Sequence, residues 1–87
     1  MAYGLMCVSR ASVPNKVAFV GFGSVQEAFD YGERECGMIR GNGNTGYIYD
    51  GKAGWHLEIE DMTRIPQDFE IKSKEDAPKW APIASRK

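Results

Sequence analysis

His56 is the single histidine of the chain, and two residues away on what reads as a strand stand Gly54 on one side and Glu58 on the other. Residues i and i+2 of a strand share a face, so imidazole and carboxylate are neighbours, which is the raw material of a general base. Such a base acts on a nucleophile, and neither a serine nor a cysteine lies beside this pair in sequence. Glu58 and Glu60 also share that face and would suit an acid pair or a cation, but a metal needs more converging ligands than two. The reading that follows is a solvated strand face.

Two glycine-bearing segments could bind phosphate. Residues 17 to 24, VAFVGFGS, run from a strand through Gly21 and Gly23 toward a helix, and Asp50 follows Gln26 by 24 residues. A dinucleotide fingerprint needs a third glycine where this chain has Gln26, and several further strand–helix units that the remaining length does not hold. Residues 41 to 46, GNGNTG, follow a helix instead of opening one and lack the Lys-Ser/Thr of a P-loop, so they read as an exit turn. No cofactor is expected.

These residues have to be positioned by short elements. Tyr3 to Arg10 and Lys16 to Phe22 are rich in Val, Phe and Tyr and flank a Pro14-Asn15 turn, which predicts a hairpin. Ser24 with Glu27 forms a capping box in which the hydroxyl takes the Glu27 amide and the carboxylate reaches back to the Ser24 amide. Val25, Ala28, Phe29, Gly32, Cys36 and Ile39 then recur at helical spacing, predicting an amphipathic helix to about Arg40. Gly32 costs such a helix up to ~1 kcal/mol relative to alanine, which points to close approach to a strand. Thr45 to Asp50 and Trp55 to Glu60 flank the turn from Gly51 to Gly54 and predict a second hairpin. Pairing Tyr49 with Trp55 and Tyr47 with Leu57 puts these four and Ile59 against the helix, and Ile48, His56, Glu58 and Glu60 on the other face.

The fold class is therefore α+β: an antiparallel sheet of four to five strands in the order ββαββ, with one amphipathic helix on one face. Eighty-seven residues allow a single domain, assigned to residues 1–73, with Phe69 to Ser73 as an extended strand and residues 74–87 as an extended tail. In the first hairpin both faces are apolar, Leu5 and Cys7 against Met6 and Val8, and Val17 and Phe19 against Ala18, Val20 and Phe22. One helix covers one side, so the C-terminal segment, a partner or a second copy in a homodimer must cover the other.

Cys7 and Cys36, 29 residues apart, have neither metal-ligand nor disulfide-framework spacing and read as reduced core thiols of a cytoplasmic protein. The first seven residues lack a basic, apolar signal pattern, and no run of 18 apolar residues occurs, so neither secretion nor a membrane is expected. Eleven basic against twelve acidic residues leave a net charge of −1, which excludes a strongly basic nucleic-acid binder and an acidic nucleic-acid mimic.

Two partner surfaces remain. Arg34 and Arg40 on the helix, with Lys72, Lys74 and Lys79 near Trp80, could track phosphates while the indole stacks on a base. From Lys72 onward the chain carries +3, but the rest carries −4 and repels the same backbone. Alternatively Tyr47, Tyr49 and Trp55 at one hairpin tip, with Arg40, Lys79 and Trp80, supply the aromatic and basic anchors of protein interfaces. In layout, residues 3 to 60 resemble small phage-encoded inhibitors of host machinery, including some anti-CRISPR proteins and phage inhibitors of bacterial RNA polymerase. The resemblance is one of architecture and implies a non-enzymatic domain that occupies the surface of a host protein complex in the host cytoplasm. The expected anchors are Tyr49, Trp55, Arg40, Lys79 and Trp80; the alternative is a nucleic-acid-binding accessory protein using Arg34, Arg40, Lys72, Lys74 and Lys79.

Overall fold

The computed structural model describes residues 2–10, 15–49 and 54–80, with the side chains of Tyr49, Lys79 and Trp80 outside the description. Strands β1 (Tyr3–Ser9) and β2 (Lys16–Phe22) form the expected first hairpin, and β4 (Thr45–Tyr49) and β5 (Gly54–Asp61) the second. The hairpins join through β1 and β5, which pair antiparallel along their whole length from Tyr3 with Asp61 to Ser9 with Trp55.

The helix α1 (Val25–Cys36) starts where the sequence says it must. Ser24 Oγ accepts the Glu27 amide at 3.0 Å, and the Glu27 carboxylate reaches back to the amide of Gly23 at 2.9 Å, one residue earlier than expected. Its far end comes four residues sooner than the apolar spacing suggests. Gly37 adopts the left-handed conformation at φ 71°, the Met38 amide returns to the Gly32 carbonyl, and this Schellman-type stop turns the chain out of the helix. Ile39 and Arg40 then form a short strand β3 instead of a last helical turn.

The sheet is larger than expected and mixed. Its order is β3-β4-β5-β1-β2-β6, six strands, where β6 (Glu70–Ser73) pairs parallel to β2 and every other neighbour is antiparallel. The sixth strand arrives by a connection that begins with a 3-10 turn, Met62–Arg64, pinned by the Met62 amide on the Ala2 carbonyl. The α+β class holds; the purely antiparallel sheet of four to five strands does not, because β2 was a free edge that a distant segment could complete.

Register decides which residues form the core. Ile48 pairs with Trp55 and Tyr47 with His56, one residue out of step with the expected pairing. Because side chains alternate across a strand, that slip turns β4 over, while Trp55, Leu57 and Ile59 keep the helix-facing side expected of them. Ile48 is 0% exposed and Tyr47 47%. The core lies between one sheet face (Leu5, Cys7, Val17, Phe19, Leu57, Ile59) and the helix residues Ala28, Phe29 and Cys36, closed below by Met38. Phe22, expected opposite this core, belongs to it: a bulge shifts the register between Tyr3 and Gly4, Gly21 takes φ 112°, and the strand's phase flips at its end.

Lys74–Asp76 form a 3-10 turn and α2 (Ala77–Trp80) a single helical turn, with Ala77 fully buried. The tail expected to be extended from Lys74 is thus helical as far as it is described. It packs against α1, on the side the helix already covers.

Candidate functional site

The register maps the second face of the sheet residue by residue. One row across the strands runs Ile39, Tyr47, His56, Val8, Lys16; the next runs Thr45, Glu58, Met6, Ala18, Ile71; the third runs Glu60, Gly4, Val20, Ser73. No described helix lies on these rows. Only the connection after β5 touches them, at one end: Ile65 rests on Gly4, where a Cβ would stand 2.6 Å from its Cδ1.

This open face holds the apolar surface of the molecule. Among the described residues the exposed large hydrophobic side chains are Ile39 (53%), Tyr47, Met62 (42%) and Ile71 (53%). The register places Ile39, Tyr47 and Ile71 on this face. Met62 joins Val20, Ile65 and Ile71 in a shallow groove of about 350 Å³ at its border. Met6, Val8 and Val20 between them are half-buried. A second cleft, about 480 Å³, opens at the hairpin end between Arg10, Tyr47, Gly54, Trp55 and His56.

The residues singled out from sequence are dispersed differently. Trp55 is 8% exposed and faces the helix, so its ring is part of the core and only its edge reaches the cleft. Arg40 is held on α1: its guanidinium bonds Glu33 at 2.8 Å and Asp30 at 3.3 Å and lies 4.4 Å from the Phe29 ring centre. The hydrogen bond to Glu33 raises its pKa further above the usual arginine range. Tyr49 ends β4, and Lys79 and Trp80 lie in α2; their side chains are outside the described residues. The structure therefore brings Tyr47 to the open sheet face, buries Trp55, and leaves Arg40 exposed on the helix side, paired with Glu33 and Asp30.

The basic residues of the nucleic-acid reading whose side chains are described are engaged by the chain's own acids. Arg34 pairs with Glu35 at 3.0 Å beside the Tyr31 ring, Lys72 with Glu70 at 3.2 Å, and Lys74 with Glu27 at 2.8 Å above the Phe22 ring. The hydrogen bond from Lys74, then that from the Gly23 amide, holds Glu27 below the usual carboxylate range, and the same contact raises Lys74. The phosphate-like turns are closed too. The Gly23 amide is spent on Glu27, and in the exit turn the Gly41 and Thr45 amides bond Thr45 and Asn42 carbonyls.

His56 Nε2 lies 3.5 Å from Glu58 Oε2, at the limit of a hydrogen bond, with Val8 and Tyr47 as cross-strand neighbours. Cys7 and Cys36 are buried and unbridged, and burial pushes Cys36 up to about 11 and Cys7 well above its ordinary value, so neither is an activated nucleophile. Among the described residues no three His, Cys, Asp or Glu side chains gather as a metal site, and no helix is long and apolar enough to cross a membrane.

No family model matches this chain, and neither a curated protein nor a solved structure does.

The sequence signalled half of this surface: both faces of the first hairpin are apolar. Ile39 was hidden by assigning it to the helix, and Gly37 was the signal that could have released it. Ile71 was hidden because parallel pairing between distant segments leaves no local pattern.

Proposed function

We propose that this chain is a non-enzymatic protein-binding module whose contact surface is the open face of its sheet. The observation that supports this is the exposure on one face of Ile39 and Tyr47 toward one edge and of Met62 and Ile71 toward the other, with half-buried Met6, Val8 and Val20 on the strands between. Apolar surface of this kind on a sheet costs free energy in water, and that cost is recovered when another surface covers it. Residues 74–80 pack on the helix side, and the connection after β5 reaches this face only along Gly4, Val20 and Ile71. The partner in this proposal is a host protein complex, and the setting is that of a small phage-encoded inhibitor acting in the host cytoplasm by occupying its target's surface.

The test is sizing chromatography with light scattering of the full chain mixed with a bacterial lysate, followed by identification of what co-elutes. A host protein should co-elute with the parent chain, and should be lost with Ile71→Asp and with Tyr47→Asp. Arg34→Ala, on the helix side, should retain it. A complex indifferent to both face variants, or one lost with Arg34→Ala alone, overturns the assignment.

A further inference from the structure

The open face is apolar at its flanks and acidic along its middle. Strand β5 stands third in the sheet order and presents His56, Glu58 and Glu60 to this side, with Tyr47 on one flank and Met6 and Val8 on the other. Glu58 lies 3.5 Å from His56, and Glu60 makes no hydrogen bond or ion pair among the described residues. Whatever covers the apolar flanks also takes these carboxylates out of water, and an uncompensated buried charge is costly enough to prevent docking. The cations of the face itself do not pair with them: Arg10 stands at the hairpin end beside Gly54 and His56, and Lys16 is two strands away and is held by Asp68 at 2.8 Å.

We infer, resting on the protein-binding reading above, that the open face takes a basic amphipathic helix of its partner, with two Lys or Arg side chains over Glu58 and Glu60. Alternate residues on a strand are roughly 6.7 Å apart, and residues i and i+4 of a helix about 6 Å, so one helical turn matches the two carboxylates. Apolar side chains beside those cations then meet Met6 and Tyr47. A second copy fits less well. It brings its own Glu58 and Glu60 into the same interface, doubling the acid to be compensated, while its Lys16 is already held by Asp68. Nucleic acid presents phosphates to the same carboxylates and is repelled.

The experiment sorts a yeast-displayed library of 18-residue amphipathic helical peptides, with charged and apolar positions randomised, against the full chain. Selected peptides should be enriched in Lys or Arg at i and i+4 flanked by Leu, Ile or Met. Their affinity should fall at least tenfold on Glu58→Gln/Glu60→Gln and weaken with added salt. Circular dichroism of each variant establishes that it folds, with Tyr47→Ser replacing Tyr47→Asp if the latter does not. Peptides without the basic pair, no enrichment at all, or an affinity unchanged in the glutamine variant while Tyr47→Asp abolishes it, overturn the inference and leave the protein-binding face standing. Selected peptides whose binding is indifferent to both Tyr47→Asp and Ile71→Asp overturn both. A dimer of the free chain that dissociates with Ile71→Asp assigns the face to a second copy and overturns the inference.

Discussion

Lys74 Nζ lies 2.8 Å from Glu27 Oε2 across 47 residues of sequence, while the other oxygen of the same carboxylate accepts the Gly23 amide that opens α1. One side chain thus caps the helix and fastens the C-terminal segment to it, and the lysine stem covers Phe22 on the way. Glu27 titrates lower in the folded chain than in the unfolded one, so its contribution is complete above the unfolded value, about pH 4, and is lost as pH falls through the folded value. Glu27→Gln should therefore lower the melting temperature at pH 7, with the gap to the parent closing toward pH 3. Lys74→Met, which keeps the stem over Phe22, should cost less than Glu27→Ala, which also loses the cap. A gap between Glu27→Gln and parent that widens in acid contradicts this account.

The pairing of Ile48 with Trp55 makes opposite demands on two adjacent residues. Ile48→Ala empties a fully buried site and should cost about 2–4 kcal/mol. Tyr47→Ala loses one cross-strand contact in the open and should cost no more than about 1 kcal/mol. Urea unfolding of the two variants reads the register directly; the reverse order would restore the pairing of Tyr47 with Leu57.

That slip shows where reading the sequence stops. The strand Thr45–Tyr49 carries apolar residues on both phases, so alternation alone does not say whether Ile48 or its tyrosine neighbours face the helix. The choice is made by Gly46, whose bare Cα admits Met38 beneath the sheet, a contact across eight residues that no period encodes. The two hairpins, the capped helix and the strand ending at Ser73 were legible because each is set by local turn, cap and apolar spacing. The bulge at Gly21 and the parallel partner of β2 were not, since both are settled by what packs against them.

Met38 makes a second test of this packing. A Cβ on Gly46 would stand 2.9 Å from Met38 Sδ and from the Ile39 carbonyl, which is backbone and does not yield. A Cβ on Gly32 meets the flexible end of the Met38 side chain at 3.1 Å, with Met38 Cβ at an ordinary 3.5 Å, and gains helix propensity in return. Gly46→Ala should destabilise by about 1–3 kcal/mol, and Gly32→Ala by clearly less. Equal losses in chemical denaturation would mean that Met38 is not what fills both spaces.

Cys7 and Cys36 make a third. Both thiols are buried and their pKa values are raised by that burial, so the thiolate that attacks a disulfide reagent is scarce and hidden. In native buffer at pH 8 both should label only at the rate at which the chain opens, and at once in 6 M guanidinium. Fast labelling of Cys36 in the folded chain would place that thiol at the surface and take it out of the core beside α1.

The remaining question is whether the basic residues are free to hold a phosphate backbone. Arg34, Arg40, Lys72 and Lys74 each spend their charge on a carboxylate of the same chain, and releasing counterions from nucleic acid requires charge that is not already spent. Those pairs are exposed and individually weak, so a strong polyanion could still compete for them; what it cannot remove is the acid that stays beside each base. Titration with single-stranded DNA in low salt should therefore give weak binding with a shallow dependence on salt, unaltered by Lys72→Ala/Lys74→Ala. A slope of log affinity on log salt steeper than about −3, reduced by that double substitution, would return these residues to a nucleic-acid contact and move the binding surface from the open face to the helix side.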